Sequence, residues 1–175
     1  MQRHFVTTKV LRKGRTSMTL SSMRSKPALR LAAVANEQPY VLEGQVGFLL
    51  RRAHQRHVAI FLDCMGQLGL TPMQFSALVK IRDEAEVSQN KLGRLIAMDS
   101  ATILGVVQRL LKRGLIKKRA NLEDSRSTIL SLSASGEALL REAIPLAKMA
   151  TQKTLQSLDA PSRRMLCRML DRLDE

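Results

Sequence analysis

Seven basic residues stand between Arg109 and Arg126 (Arg109, Lys112, Arg113, Lys117, Lys118, Arg119 and Arg126), against two acids, Glu123 and Asp124. Cations packed this closely suit phosphate oxygens, because each neutralised phosphate releases a counterion and drives association. A merely solvated face would mix its signs, as the last predicted helix of this chain does. The chain has 29 Lys and Arg against 15 Asp and Glu, and its first 36 residues hold eight of the cations and no acid. The body that remains carries a net charge of +6, of which the stretch 109–126 supplies +5. Beside these cations lie side chains suited to base edges. Gln108 fits adenine and Leu104 a thymine methyl, while Ser100 and Thr102 fit phosphates. Ala101, Gly105 and Lys112 share that outward side, and Ser88, Gln89, Asn90 and Ser127 are further DNA-contact candidates. Double-stranded DNA is the expected partner.

Other chemistry is thinner. No Ser-His-Asp arrangement, Walker loop or GxGxxG motif occurs among these residues, so no enzyme is expected. His54 and His57, three apart on one predicted helix, share a face with Cys64 two turns on, but a closed zinc site needs a third or fourth ligand and acids nearby are sparse. No metal or cofactor is expected, and Cys64 falls on an apolar stripe as a small buried hydrophobe. Cys64 and Cys167 lack CxxC spacing, which favours a reducing, cytoplasmic setting over a disulfide scaffold. With few aromatics and no Trp, base stacking on single strands is not the expected mode. No apolar run reaches the roughly 20 residues of a membrane span. Arg51, Arg52, His54, Gln55, Arg56 and His57 form a cationic band within an otherwise apolar helix. Arg52 and Arg56 read as solvated. A buried His57, bordered by His54 and Arg51 and lined by Phe48, Phe61 and Phe75, would suit a small aromatic carboxylate.

The elements that must position these groups are mostly helical. Glu43 to Leu68 carries Val46, Leu50, Ala53, Ile60, Phe61, Cys64 and Leu68 along one stripe, a long helix ending at Gly69. Thr71-Pro72-Met73-Gln74 is a capping box with Pro at the first helical position, opening a helix to about Arg82. Ser88 caps a short helix with Leu92, Leu95 and Ile96, and Asp99 caps the next. In that helix Ile103, Val106, Val107, Leu110 and Leu111 face the core, and Lys112-Arg113-Gly114 ends it. Leu115 to Arg119 and Ser127 to Leu132 read as two strands about a polar turn. Ser133 opens a helix to about Leu158, bent at Pro145. Asp159-Ala160-Pro161 opens a last one bearing Met165, Leu166, Met169, Leu170 and Leu173. The fold class is mainly α (α+β), a winged helix-turn-helix with a helical dimerisation domain. Residues 1–39 form a basic, disordered extension, with a DNA-grazing arm, a transit peptide or a later start at Met18 or Met23 as alternatives. Residues 40–70 and 134–175 form the dimerisation region, and 71–133 the DNA-binding domain.

From Glu43 to Glu175 the chain resembles the MarR (multiple antibiotic resistance regulator) family. The matches are Leu68-Gly69-Leu70-Thr71-Pro72-Met73-Gln74-Phe75, Asp99 with Thr102 leading to Leu110-Leu111-Lys112-Arg113-Gly114-Leu115-Ile116, and Glu123-Asp124-Ser125-Arg126 leading to Leu130-Ser131-Leu132-Ser133 and Gly136. The resemblance implies a homodimeric regulator, usually a repressor released from its operator by a small ligand. It implies that Arg126 enters a minor groove from the wing, where Asp124 can hold the guanidinium. It also implies an effector pocket between the first helix, the next one and the DNA-binding lobe, and by analogy regulators of aromatic-acid breakdown, including nicotinate-type pathways, are the subgroup to consider first. Many relatives have a polar residue then Arg where this chain has Leu104-Gly105, which puts an Arg-to-guanine contact from this helix in question. The alternatives are a constitutive architectural DNA-binding protein without effector and a metal-dependent sensor.

Overall fold

Five helix starts are fixed by side-chain caps of the kind the sequence announces, and these set the frame of the site. A computed structural model describes residues 39–121 and 127–173. Residues 42–175 form one compact unit and 1–41 another, of which only 39–41 are described. The elements are α1 (Val46–Met65), α2 (Pro72–Glu84), β1 (Val87–Ser88), α3 (Gln89–Leu95), α4 (Ser100–Lys112), β2 (Ile116–Ala120), β3 (Thr128–Leu132), α5 (Ala134–Thr154) and α6 (Ala160–Arg172). Thr71 and Gln74 close a reciprocal capping box on α2, at 3.1 and 3.2 Å. Ser88, Asp99, Ser133 and Asp159 accept from the first turns of α3, α4, α5 and α6. Each satisfies amide donors that the helix itself leaves unpaired.

The structure departs from expectation at both ends of the first helix, which begins at Val46 after a 3-10 turn at Leu42–Gly44, at the end of α5, and in one added strand. The first helix stops at Met65, because Gly66 takes a positive φ of 47°, and Gly66–Leu68 follow as one tight 3-10 turn. α5 ends at Thr154 rather than near Leu158, and it continues through Pro145. A third strand, β1, joins the sheet in the antiparallel order β1-β3-β2, with Val87 opposite Leu130 and Ile116 opposite Leu132.

The core gathers Leu78 and Ile81 of α2, Leu92 of α3, and Ile103, Val106, Val107 and Leu110 of α4 beneath the sheet residue Leu130. Phe61 and Met65 join it from the C-terminal half of α1, with Leu140, Ala143 and Ala150 of α5. The N-terminal half of α1 is different. Val46 and Leu50, expected on a core stripe, are 65% and 42% exposed, uncovered by any described residue of this unit. On α6 no residue is buried, and its apolar side faces solvent. Among the described residues no helix is long and apolar enough to cross a membrane.

Candidate DNA interface and effector site

α4 presents two chemically distinct sides. Its core stripe is almost wholly buried, whereas Ser100, Ala101, Leu104, Gln108, Arg109 and Lys112 are exposed and Gly105 is half-buried. A helix held by one apolar stripe and free on the other can enter a major groove about 12 Å wide. Asp99 stabilises the leading end of α4. Its carboxylate accepts from the amides of Ala101 and Thr102 at 3.0 and 2.9 Å and from the Thr102 hydroxyl at 2.6 Å. Those bonds, the hydroxyl of Thr102 first, hold the Asp99 carboxyl below its ordinary value. Thr102 therefore gives its hydroxyl proton to the cap, and Ser100 is the freer phosphate donor of the two.

The other expected contacts fall at the foot of the wing. Gln89 and Asn90, at the start of α3, meet Ser127 and Thr128 around a polar cleft of about 80 Å³. Ser88 is half-buried behind them, engaged as the α3 cap. Thr128 was not anticipated, since only the pairing of β3 brings it beside α3. Asp124 and Arg126 lie outside the described residues.

The basic cluster is partly engaged within the protein. Arg113 donates to the Leu68 carbonyl at 2.8 Å and the Gly69 carbonyl at 2.9 Å, tying the end of α4 to the turn that follows α1. Arg119 forms a forked pair with Glu86, at 2.6 and 3.3 Å, which fastens β2 to the segment before β1. That pair raises the Arg119 pKa through hydrogen bonding to Glu86. Both guanidiniums brace parts of the candidate DNA surface and have fewer donors left for phosphates. Lys112, Lys117 and Lys118 are exposed, and no ion pair among the described residues engages them.

The six effector candidates fall into two groups. Phe48 and Arg51 sit together, the guanidinium 5.2 Å from the ring centre, and Arg52 approaches the same ring at 5.7 Å. His57, Phe61 and Phe75 form a second chain of rings, with centres 6.1 and 5.6 Å apart. Nine helical residues separate Phe48 from His57, about 14 Å of rise, so the groups do not converge within one chain. His54 is exposed and Phe61 is buried. Phe75 also lines an open apolar groove of about 260 Å³ with Ser76, Val79, Lys80, Leu95 and Ile96. Lys80 is the cation there that the sequence did not single out.

His57 has a defined tautomer. Its Nδ1 lies 2.9 Å from the Thr154 hydroxyl, and that hydroxyl donates to the Ala150 carbonyl at 2.7 Å. With the hydroxyl proton committed, Thr154 accepts, so His57 Nδ1 carries hydrogen and Nε2 is an acceptor when the ring is neutral. Burial, and then the neighbouring His54, lower the His57 pKa and favour the neutral ring. A neutral ring offers no charge to the carboxylate expected beside it. A neutral Nε2 suits a ligand N–H or O–H instead.

Among the described residues no three His, Cys, Asp or Glu side chains gather as a metal site. Cys64 is buried and Cys167 exposed.

Comparison with known proteins agrees with this geometry. The model of the MarR family matches residues 70–128. The chain is 40% identical to the HTH-type transcriptional repressor NicR of Pseudomonas putida over 139 residues, covering 79% of this chain and 88% of that protein. A crystal structure described as a "probable transcriptional regulator" from Pseudomonas aeruginosa is 44% identical, with TM-score 0.73 over 76% of this chain and 99% of that one. Bordetella bronchiseptica BpsR, whose DNA binding is regulated by 6-hydroxynicotinic acid, is 36% identical, with TM-score 0.75 over 79% of this chain and 99% of its own.

Proposed function

The chain belongs to the MarR family, and from that premise we propose a homodimeric repressor that leaves a two-fold symmetric operator when a small aromatic acid binds. The observation that carries the reading is the exposed side of α4 beside an antiparallel basic wing, with a polar cleft between α3 and the wing's foot. In this reading residues 71–133 hold the DNA and residues 40–70 with 134–175 hold a second copy, in the cytoplasm where operator DNA lies. Footprinting on the DNA upstream of its own gene tests it. Protection of two half-sites about one helical turn apart is the expected result.

The wing contributes a minor-groove contact through Arg126, on the sequence pattern Asp124-Ser125-Arg126. Arg126→Ala should weaken operator binding at least about 10-fold, the loss of one charged groove contact, with helix content and oligomeric state unchanged. Asp124→Ala should do the same more mildly. Unaltered operator affinity in folded Arg126→Ala would remove the residue from the interface.

The effector is a hydroxylated aromatic acid or its pyridone equivalent. Support comes from the acceptor His57 Nε2, the Phe61–Phe75 ring pair and Lys80 beside Phe75, together with the effector of BpsR. The ring N–H or O–H would meet His57 and the carboxylate Lys80. The ligand must bind the DNA-free arrangement more tightly, since equal affinity would shift nothing. His57→Ala and Lys80→Ala should bind operator normally yet need at least about 10-fold more 6-hydroxynicotinic acid for release, one tenfold step per 1.4 kcal/mol of lost contact. Arg51→Ala, which removes the cation beside Phe48, tests the other group of candidates. If His57→Ala and Lys80→Ala both release at the wild-type concentration, the acid binds elsewhere.

A further inference from the structure

Arg109 lies one turn beyond Gly105 on α4, and its side chain returns along the helix to cover that glycine. A Cβ built on Gly105 would sit 3.5 Å from Arg109 Nη1, 3.6 Å from Nη2 and 3.8 Å from Cζ. Long helical side chains lean toward the N-terminus, so a guanidinium rooted at 109 reaches the level of 105. The direction matters because the two positions differ around the helix. With the core stripe at Ile103, Val106, Val107 and Leu110 taken as inward, Gly105 points almost straight outward, whereas Arg109 springs from the flank. The backbone thus gives Arg109 a flank position, and the missing side chain at 105 lets its fork lie over that glycine, on the exposed side of the helix.

No acid among the described residues pairs with Arg109. It is an exposed, charged fork with its donors available, unlike Arg113 and Arg119, which are held by Leu68, Gly69 and Glu86. A planar fork at the middle of a groove-entering helix matches the two acceptors, O6 and N7, that guanine displays in the major groove.

We propose that Arg109, reaching across Gly105, reads a guanine in each half-site and is a specificity-determining residue of this protein. Gly105 acts as its seat. The guanidinium that the Leu104-Gly105 sequence lacks at its own position is delivered from one turn later. The proposal rests on the operator-binding reading above, and recovery of a two-fold duplex from random DNA by the wild-type protein checks that reading separately.

The test uses that selected duplex, and variants of it in which each G·C pair is changed in both half-sites. Arg109→Ala should bind the selected duplex about 5- to 150-fold more weakly, the range for loss of a bidentate base contact. On the duplex altered at one particular G·C pair it should match the wild-type protein, since the contact is already gone there. The slope of log affinity against log salt should be unchanged. Gly105→Val, which fills the seat of the guanidinium while leaving Arg109 in place, should show the same relaxed preference at the same pair. Arg109→Lys should retain only part of it, because an ammonium lacks the fork. A uniform loss on every duplex, with the salt slope falling by about one, would make Arg109 a phosphate contact and overturn the proposal. So would unchanged discrimination at every G·C pair.

Discussion

A single methyl group at position 136 should make this protein unfold about 10 °C early. Gly136 is buried in the first turn of α5, where that helix crosses the end of the chain segment leaving α4. An added Cβ would run into the Leu115 carbonyl oxygen, well inside van der Waals contact, and would lie 3.0 Å from its carbon. These are backbone atoms and cannot rotate aside. The same crossing is fastened by two hydrogen bonds from Ser133, whose hydroxyl is also the α5 cap. The Ser133 amide donates to the Leu115 carbonyl at 3.1 Å, the Ser133 hydroxyl donates to the Gly114 carbonyl at 2.6 Å, and that hydroxyl accepts from the Gly136 amide at 3.0 Å. Moving α5 away to admit the methyl would stretch the bonds to Leu115 and Gly114 and unseat Leu115 and Leu140, which are nearly fully buried. Overpacking typically costs about 1–3 kcal/mol, and a clash with main chain on both sides belongs at or above the top of that range. At about 2–4 °C per kcal/mol for a domain of this size, Tm should fall by about 10 °C. Gly44→Ala is the matched control, because nothing lies within 4 Å of its added carbon. Thermal unfolding of both variants decides the matter, and equal Tm values would show that α5 can shift without loss.

Caps and stripes were legible in the sequence because their causes are local. Thr71 with Gln74, Ser88, Asp99, Ser133 and Asp159 each bond amides two or three residues away, and the α4 core stripe is a matter of spacing on one helix. What failed was whatever depended on a distant partner. β1 is two residues long and exists because β3 offers an open edge at Ile129 and Leu130. No periodicity can announce it. The apolar stripe of α1 was read correctly as apolar, but the pattern says nothing about what covers Val46 and Leu50.

Charge behaved similarly. Counting cations pointed to α4 and the wing, but it could not tell that Arg113 caps the turn after α1 or that Arg119 is matched to Glu86. Those pairings join residues 33 to 45 positions apart. The effector candidates show the limit most plainly. Phe48, Arg51, His57 and Phe61 all lie on α1, where the rise of a helix holds its two ends apart, and the cation beside Phe75 comes from α2 as Lys80. Arg113 also gives the two regions a physical link. It holds α4 to the turn at the end of α1, so under the proposed function an effector that displaces α1 would pull on α4 through a forked contact as well as through the core.

Placing one negative charge on α6 should separate the dimer and remove tight operator binding with it. Asp159 caps the helix, Pro161 sits in its first turn, and none of its residues is buried. Met165, Met169, Leu170 and Leu173 are 46%, 56%, 42% and 68% exposed, and Val46, Leu49 and Leu50 of α1 are likewise uncovered. Two such faces on separate helices are an unusual exposure for a monomer and fit coverage by a second copy. Full burial of a Met or Leu side chain is worth about 1.5–3 kcal/mol, so covering the exposed half of four on each of two copies amounts to on the order of 10 kcal/mol, comparable with association costs of about 4–15 kcal/mol. Met169→Glu sets a carboxylate in that seam, and the two-fold axis sets in a second. Desolvating both should weaken the dimer at least about 100-fold, while leaving α6 itself intact, since Glu is a good helix former. Without a linked pair of half-sites, affinity for a symmetric operator should fall by about 10²- to 10⁴-fold. Removal of residues 159–175 should have the same effect. Sedimentation velocity at micromolar concentration, beside operator titration of the same sample, provides the measurement. A Met169→Glu protein that still sediments as the wild type does and keeps its operator affinity would place the seam on another face. One that becomes monomeric yet binds a symmetric operator undiminished would mean that each lobe grips its half-site alone.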